Sequence, residues 1–201
     1  LISQGHEVHC LMRKSSDDKW LKDLDITIHR NGIEDIDFLR NVFTEHNANY
    51  IFHLAGTVKA FDYAGFEAGN VKPTRCILEA SIGIDSIEKI IVTSSLAASR
   101  ATKVGQPNDE TCERLPLTDY GKSKVAEEDL AISYMDRLPI SIIRPPVVYG
   151  ERDVEVLLFF KTIKSHIIPL IGFSPKSVSL VYVGDLVNGF YQCAISEKSK
   201  N

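Results

Sequence analysis

The chain has 201 residues, of which 44% are hydrophobic and 25% are charged, and it carries a net charge of -4 at pH 7. This composition is typical of a globular protein with a sizeable core, whereas broad nucleic-acid surfaces are usually basic. The negative net charge therefore argues against a nucleic-acid partner. No apolar stretch approaches the ~20 residues of a membrane span, so we expect no membrane partner either.

The first residues of the chain have the pattern of a helix C-terminus. Residues 1–4 read as the tail of a helix, and Gly5 is a typical residue for closing one. A protein rarely starts at the end of a helix. We therefore expect the chain to be a fragment of a longer protein.

Short apolar, β-branched segments then alternate with segments of helical period. Strands are predicted at residues 7–11, 26–29, 50–54, 89–93, 140–143 and 179–183. Helices are predicted at residues 36–45, 70–80 and 120–136. Near-continuous apolar strands suit a sheet that is covered on both faces, and this alternation implies βαβ units. The sequence thus predicts an α/β fold with a doubly wound parallel sheet.

Several polar segments follow predicted strands directly. They are residues 53–56, 93–95 and 144–146, and a polar excursion at residues 103–116 comes after the second of them. Ligands of such sheets bind outside the carboxyl ends of the strands. We therefore expect these segments to meet at one edge and to form a binding site there.

The most informative pattern is a tyrosine followed by a lysine four residues later, Tyr120 and Lys124. Residues at this spacing share one helix face, and a cation held beside a phenol favours its ionised form. Ser95 is then placed to hold the substrate oxygen that exchanges its proton with Tyr120. The pattern predicts proton transfer coupled to hydride transfer with a nicotinamide. The alternative is that Lys124 pairs with Glu127 or Glu128 on an exposed helix.

The four cysteines give no sign of a metal site. Cys10, Cys76, Cys112 and Cys193 lie far apart, without the close Cys or His spacing that zinc sites show. Scattered thiols of this kind fit a reduced protein of the cytoplasm. The sequence therefore predicts a cytoplasmic location and no bound metal.

Seven short motifs occur in a characteristic order, at residues 5–8, 53–56, 70–74, 92–95, 120–124, 144–150 and 181–186. In this order and spacing the chain resembles the extended short-chain dehydrogenase/reductase family, also called the NAD-dependent epimerase/dehydratase family. The resemblance implies a Rossmann-like, NAD(P)-binding fold. It also places a glycine-rich phosphate loop before Leu1, within roughly 30 residues, the size of a βαβ unit.

The resemblance assigns roles to individual residues. Tyr120 would be the acid/base, Lys124 its charged partner and a ligand of the nicotinamide ribose, and Ser95 the substrate-oxygen clamp, with Ser94 as the fallback. Asn70 would support the geometry of the site, or would simply cap a helix. The implied cofactor-binding residues are Arg13, Leu54, Ala55, Gly56, Thr93, Tyr120, Lys124, Pro145 and Pro146.

The turn after the first predicted strand bears on the choice of cofactor. NAD-binding proteins usually place an acid there for the ribose 2′-hydroxyl, but residues 11–14 read Leu-Met-Arg-Lys. Arg13 offers a bidentate partner for a 2′-phosphate, so we expect NADP in preference to NAD. A solvated basic turn is the alternative.

The resemblance also divides the chain and narrows its function. Residues 1–150 would form the NAD(P)-binding domain without its first strand, and residues 151–201 would begin a substrate-binding part, with a strand and a helix that return to the first domain. We expect an NAD(P)-dependent oxidoreductase or epimerase that acts on a small hydroxyl or carbonyl substrate, in a homodimer.

Three functional alternatives stay open. One is a net reductase or dehydrogenase, and another is a nucleotide-sugar epimerase or dehydratase. Dehydratases usually carry an acid pair right after the serine position, where this chain has Leu96 and Ala97, so dehydration is disfavoured. The third is a non-catalytic NAD(P)-binding regulatory protein on the same fold.

Overall fold

The computed structural model describes residues 1–102, 104–166 and 177–199. The strands are β1 (His9–Met12), β2 (Thr27–Arg30), β3 (Tyr50–His53), β4 (Lys89–Thr93), β5 (Ile140–Ile143), β6 (Val147–Tyr149) and β7 (Leu180–Tyr182). The α-helices are α1 (Ile36–Glu45), α2 (Tyr63–Ser81), α3 (Asp119–Ile132), α4 (Glu155–Lys164) and α5 (Val183–Ile195). Short 3-10 turns cover Ile2–Gln4, Leu96–Ala98 and Glu197–Ser199.

Every strand pair in the described part of the chain is parallel. β1 pairs with β2, β4 lies between β3 and β5, and β6 pairs with β7. Helices connect β2 to β3, β3 to β4 and β4 to β5, as parallel pairing requires. The predicted parallel α/β architecture is confirmed.

Strand β4 shows why the sheet is covered on both faces. Ile90 and Val92 point into one core cluster, which contains residues of α2 and α3. Ile91 points the other way, into a second cluster with Phe190 and Ala194 of α5. All three β4 side chains are fully buried, and each such burial contributes about 1.5–3 kcal/mol. Helices on opposite faces make the sheet doubly wound, as predicted.

Two helices differ from the prediction at their ends. Helix α2 begins at Tyr63 and not at residue 70, because the Asp62 side chain accepts a hydrogen bond from Gly65 N and caps the helix. Asn70 consequently lies inside α2, so its alternative role as a helix cap is wrong. Helix α3 begins at Asp119, one residue earlier than predicted, and ends at Ile132 rather than at residue 136.

The strand boundaries differ by one or two residues. β1 covers Met12 but not residues 7 and 8, β2 runs one residue later than predicted, and β3 ends at His53. β7 is two residues shorter, because residue 183 already begins α5. β4, β5 and α1 have the predicted bounds. The predicted excursion at 103–116 holds no helix or strand over its described residues, 104–116.

The last part of the chain contains two elements that the sequence analysis did not locate, β6 and α4. Pro145 and Pro146 end β5, as expected, but a new strand starts at once and pairs with β7. Helix α5 then packs on β4. The division at residue 150 stays a prediction, and residues 167–176 and 200–201 of the second part lie outside the described residues. Among the described helices, none has the length and apolar character needed to cross a membrane.

Candidate active site

A small cavity of about 120 Å³ lies where β3 and β4 end, beside α2 and α3. Its lining residues are Leu54, Gly56, Thr57, Val58, Asn70, Thr93, Ser94, Tyr120 and Lys124. Six of these were predicted as site residues, with Ser94 as the fallback serine, and they come from four motifs that are distant in sequence. The fold therefore brings the loop after β3, the end of β4 and the first turns of α3 to one place.

The start of α3 is positioned by a cap and by a close approach of two backbones. The Thr118 side chain accepts a hydrogen bond from Gly121 N at 3.0 Å, which fixes the first turn. A Cβ at Gly121 would lie only 2.4 Å from the Ala97 carbonyl oxygen, so glycine lets α3 pack against the 3-10 turn at Leu96–Ala98. This packing places Tyr120, which is half-buried, at the cavity wall.

Lys124 is buried, with 5% of its surface exposed. Its Nζ donates to the Thr93 carbonyl oxygen at 2.8 Å and to Glu127 Oε2 at 2.6 Å. An ammonium has three N–H donors, so one remains for a group in the cavity. The alternative that Lys124 pairs on an exposed helix names a correct partner, Glu127, but is wrong about exposure, because this face of α3 is buried.

Glu127 extends the contact of Lys124 into a buried chain of hydrogen bonds. Thr74 Oγ1 lies 2.7 Å from Glu127 Oε1 and 2.8 Å from His53 Nε2. Burial raises the pKa of Glu127, and the Lys124 ammonium opposes that shift. Burial, followed by the charge of Lys124, lowers the pKa of His53 to about 4. At neutral pH His53 is therefore uncharged.

A second buried carboxylate, Glu128, ties three segments together. Arg144 donates from Nε to Glu128 Oε1 at 2.7 Å and from Nη2 to Glu128 Oε2 at 2.6 Å. Such bidentate pairs are geometrically specific. Ser94 Oγ also donates to Glu128 Oε1, at 2.5 Å. The ends of β4 and β5 are thereby fixed to α3.

Asn70 is fully buried and holds the loop after β3. Its Oδ1 accepts from Thr57 N at 2.7 Å, and its Nδ2 donates to the Thr57 carbonyl oxygen at 3.1 Å and to Ser123 Oγ at 2.9 Å. One side chain therefore fixes both the loop and α3. These contacts suit a residue that supports the geometry of the site; its catalytic role stays a prediction.

The two candidate serines differ in what their hydroxyl groups do. Ser94 lines the cavity, but its proton is directed at Glu128. Ser95 is not among the described lining residues, and its Oγ accepts from Ala97 N at 3.2 Å as the cap of the 3-10 turn. Because Ser95 uses its oxygen as an acceptor, its own proton remains for another partner.

Four predicted cofactor residues also lie outside the cavity lining within the described part of the chain. Ala55 is exposed on the loop after β3, Pro145 is buried, and Pro146 is half-buried. Arg13 is exposed just past the end of β1. Their cofactor contacts stay predictions.

The cavity carries polar groups that fit a nicotinamide cofactor. Thr93 Oγ1 is buried and has no hydrogen-bond partner among the described residues, which is rare for a buried hydroxyl. It lines the cavity together with Lys124. A hydroxyl-rich ribose beside them would satisfy both the orphaned oxygen and the third ammonium donor.

Four side chains in or behind the cavity wall were not predicted to contribute to the site. Ser123, Thr57 and Thr74 received no role, and Glu127 appeared only as a surface partner for Lys124. The available signal was the i, i+3 spacing of Lys124 and Glu127, which does not show whether a helix face is buried.

The sequence matches the family described as "NAD dependent epimerase/dehydratase family" over residues 1–200. It is 31% identical over 139 residues to a protein of Caulobacter vibrioides named ceramide reductase, covering 69% of this chain and 38% of that protein. It is 30% identical over 152 residues to the Bacillus subtilis protein YtcB, named an uncharacterized UDP-glucose epimerase, covering 69% and 46%.

Solved structures share the fold. The crystal structure of a UDP-glucose 4-epimerase from Thermotoga maritima with UDP-glucose superposes with a TM-score of 0.82 at 24% identity, covering 97% of this chain and 67% of that one. The chain spans between 38% and 57% of the length of the curated relatives that it matches.

Proposed function

The chain belongs to the NAD-dependent epimerase/dehydratase family, and from this premise we propose that it carries the proton-transfer site of an oxidoreductase or epimerase. The substrate would be a small molecule, and the reacting carbon would bear a hydroxyl or carbonyl group. The proposal rests mainly on one observation: Tyr120 and Lys124 line the same cavity at the carboxyl ends of β3 and β4.

In this proposal each residue has a defined task. Tyr120 gives a proton to the substrate oxygen or takes one from it. The charge of Lys124, held by Thr93 O and Glu127 Oε2, favours the phenolate in that exchange. Ser95 donates its free proton to the same substrate oxygen as charge develops there. A bound nicotinamide supplies the hydride acceptor or donor.

The cofactor would be held by the loop after β3 and by polar groups at the end of β4. Gly56 has Asn70 Oδ1 at 3.0 Å and Lys124 Nζ at 3.6 Å from the position of an added Cβ, so a larger residue would crowd both side chains. Arg13 supports a preference for NADP, since its guanidinium makes no ion pair within the described residues and is available for a 2′-phosphate.

Two reactions are compatible with this chemistry. We favour net oxidation or reduction of the substrate, which is the type of reaction in the name of the relative ceramide reductase. The second candidate is epimerisation of a nucleotide sugar, which is supported by the relative named a UDP-glucose epimerase. Dehydration remains disfavoured, because Leu96 and Ala97 form the 3-10 turn after Ser95 and supply no acid.

The test is to incubate the whole protein with NADPH or NADH and a carbonyl substrate, and separately with UDP-glucose. The concentrations of cofactor and of substrate are followed in both assays. Net consumption of NADPH or NADH with a carbonyl substrate supports a reductase. Conversion of UDP-glucose to its C4 epimer with no net change in cofactor supports an epimerase. Cofactor binding without turnover of any substrate tried would support the non-catalytic regulatory alternative and contradict the proposed function.

A further inference from the structure

Three histidines from three different elements meet on one face of the β1–β2 pair. His9 is the first residue of β1, His29 lies on β2, and His46 follows the last residue of α1. One ring nitrogen of each lies within 4.8 Å of the ring nitrogens of the other two. His9 pairs in register with Thr27, and Leu11 pairs with His29, so His9 and His29 point to the same face. We call these three residues the histidine cluster.

The protonation pattern of the cluster follows from an exposed carboxylate beside it. Glu7 Oε1 lies 2.9 Å from His9 Nε2, so Nε2 carries a proton and donates it. In a neutral ring the other nitrogen, Nδ1, is then a bare acceptor. That nitrogen faces the cluster, 3.0 Å from His29 Nε2. A carboxylate that orients a histidine in this way is the usual companion of a metal-binding imidazole.

From this geometry we propose that His9, His29 and His46 bind a divalent transition-metal ion, Zn²⁺, with Glu7 orienting His9. Imidazole nitrogens suit this ion, and zinc lies about 2.0–2.1 Å from them in a tetrahedral site. Two ligand nitrogens around such an ion are therefore about 3.3–3.4 Å apart. The His9–His29 pair is close to that separation already, and rotations of side chains bring in the third ring. On binding, His29 moves its Nε2 proton to Nδ1 by way of solvent.

The site would be structural and separate from the candidate active site. None of the three histidines is among the described residues that line the cavity. An ion held by all three would join β1, β2 and α1. An ion that binds only the folded chain stabilises that chain by RT ln(1 + [Zn²⁺]/Kd). The histidine side chains are half-buried, which leaves the fourth position open to water.

No metal was predicted from the sequence, because zinc ligands are recognised there by short Cys and His spacings. The three histidines are far apart in the sequence, and only the pairing of β1 with β2 and the packing of α1 bring them together. A search by spacing could not have found them.

The test is a zinc titration of the whole protein, produced without a histidine tag and stripped with a chelator. A competing chromophoric chelator reports the stoichiometry, and thermal unfolding reports stability in parallel. We expect one Zn²⁺ per chain and a higher melting temperature with zinc. His29→Gln and His46→Gln should each abolish this saturable binding. His166→Asn, which changes an exposed histidine outside the cluster, should bind zinc as the wild type does.

A further variant keeps the test decisive if a cluster substitution disturbs the fold. Glu7 is exposed, so Glu7→Gln should fold normally while removing the carboxylate that orients His9. We expect this change to weaken zinc binding by about 10–100-fold. Equal zinc affinity in the wild type and in folded Glu7→Gln and His46→Gln proteins would overturn the proposal and show that the three rings only pack against one another.

Discussion

Two regions gather ionisable side chains in opposite ways: the buried network of Lys124, Glu127, Thr74 and His53 behind the candidate-site cavity, and the histidine cluster. In the network, Lys124 and Glu127 are 5% and 0% exposed and form an ion pair at 2.6 Å. In the cluster, the rings are half-buried and chemically alike, and the pKa of His29 is lowered by burial and by His9 and His46. The network keeps an ion pair inside the protein, whereas burial and two neighbouring rings disfavour a charge on His29.

The difference shows how each region can be used. A buried charge that is paired and hydrogen-bonded stays in one position, which suits the proposed effect of Lys124 on Tyr120. A neutral imidazole offers a lone pair on one ring nitrogen, which suits ligand binding. If this contrast is correct, charge removal should harm the network strongly and the cluster little.

The largest effect is expected for Lys124→Met, which breaks the network. The substitution leaves Glu127 buried without its partner, and breaking such a pair costs about 3–5 kcal/mol of unfolding free energy. It also removes the charge beside Tyr120 and the proposed ribose contact, so kcat and cofactor affinity should both fall. Denaturant unfolding, steady-state kinetics and cofactor titration measure the three losses.

Two companion variants separate stability from chemistry. Lys122→Met removes an exposed ion pair with Asp119 on the same helix and should change stability by at most about 1 kcal/mol. Adding Glu127→Gln to Lys124→Met should recover most of the stability but none of the turnover. Recovery of turnover in the double variant would show that Lys124 acts only on the fold.

The next effect concerns His53, the neutral member of the network. Its pKa is 6.5 when unperturbed and about 4 in the folded chain, so the unfolded chain binds the proton more readily. The stability from keeping His53 neutral is complete above pH 6.5 and is lost as the pH falls toward 4, by about 3 kcal/mol in total. Glu127, whose pKa is raised, acts in the opposite sense.

Because the two groups oppose each other, the wild type must be compared with His53→Gln in the pH dependence of the unfolding free energy. The variant should show a flatter loss of unfolding free energy between pH 6.5 and 4, measured by urea unfolding at several pH values. His166→Asn should keep the wild-type slope. A wild-type slope in His53→Gln would mean that His53 is not buried as a neutral ring.

The sequence predicted most of the strands and helices that carry the network and the histidine cluster. It also predicted the motif residues beside the network, Tyr120 and Lys124. Strand β4 was located by its near-continuous apolar run and helix α1 by the helical spacing of its apolar residues. The beginning of α2 was missed because its first turns contain Gly65 and Gly69, which weaken a helical pattern, whereas the Asp62 cap that starts it acts through a single hydrogen bond.

Burial and contacts between residues distant in sequence could not be predicted from the sequence. Glu127 looks like a surface residue until α3 is packed against α2, and only then does Thr74 reach it. The histidine cluster needs the register of two strands and the end of a helix. Tyr120 and Lys124 were found because both lie within one helical turn.

A smaller effect is expected at the far end of β1, the strand that begins with His9. If Arg13 contacts a 2′-phosphate, the whole protein binds NADPH more tightly than NADH. Arg13→Asp should then lose about 1.5–3 kcal/mol of NADPH binding, with little change for NADH. Lys14→Asp, the neighbouring basic residue, is the matched control. Equal NADPH affinity in Arg13→Asp and wild type would remove Arg13 from the cofactor site.

The most direct test of the central claim is the turnover of Tyr120→Phe in the whole protein, on the substrate identified by the assays above. The substitution keeps the ring and its packing near Phe66 but removes the proton that Tyr120 transfers. We predict that cofactor affinity and melting temperature stay close to wild type, while kcat falls by roughly 10²–10⁴-fold. Near-normal turnover by a folded, cofactor-binding Tyr120→Phe protein would contradict the claim that Tyr120 is the acid/base.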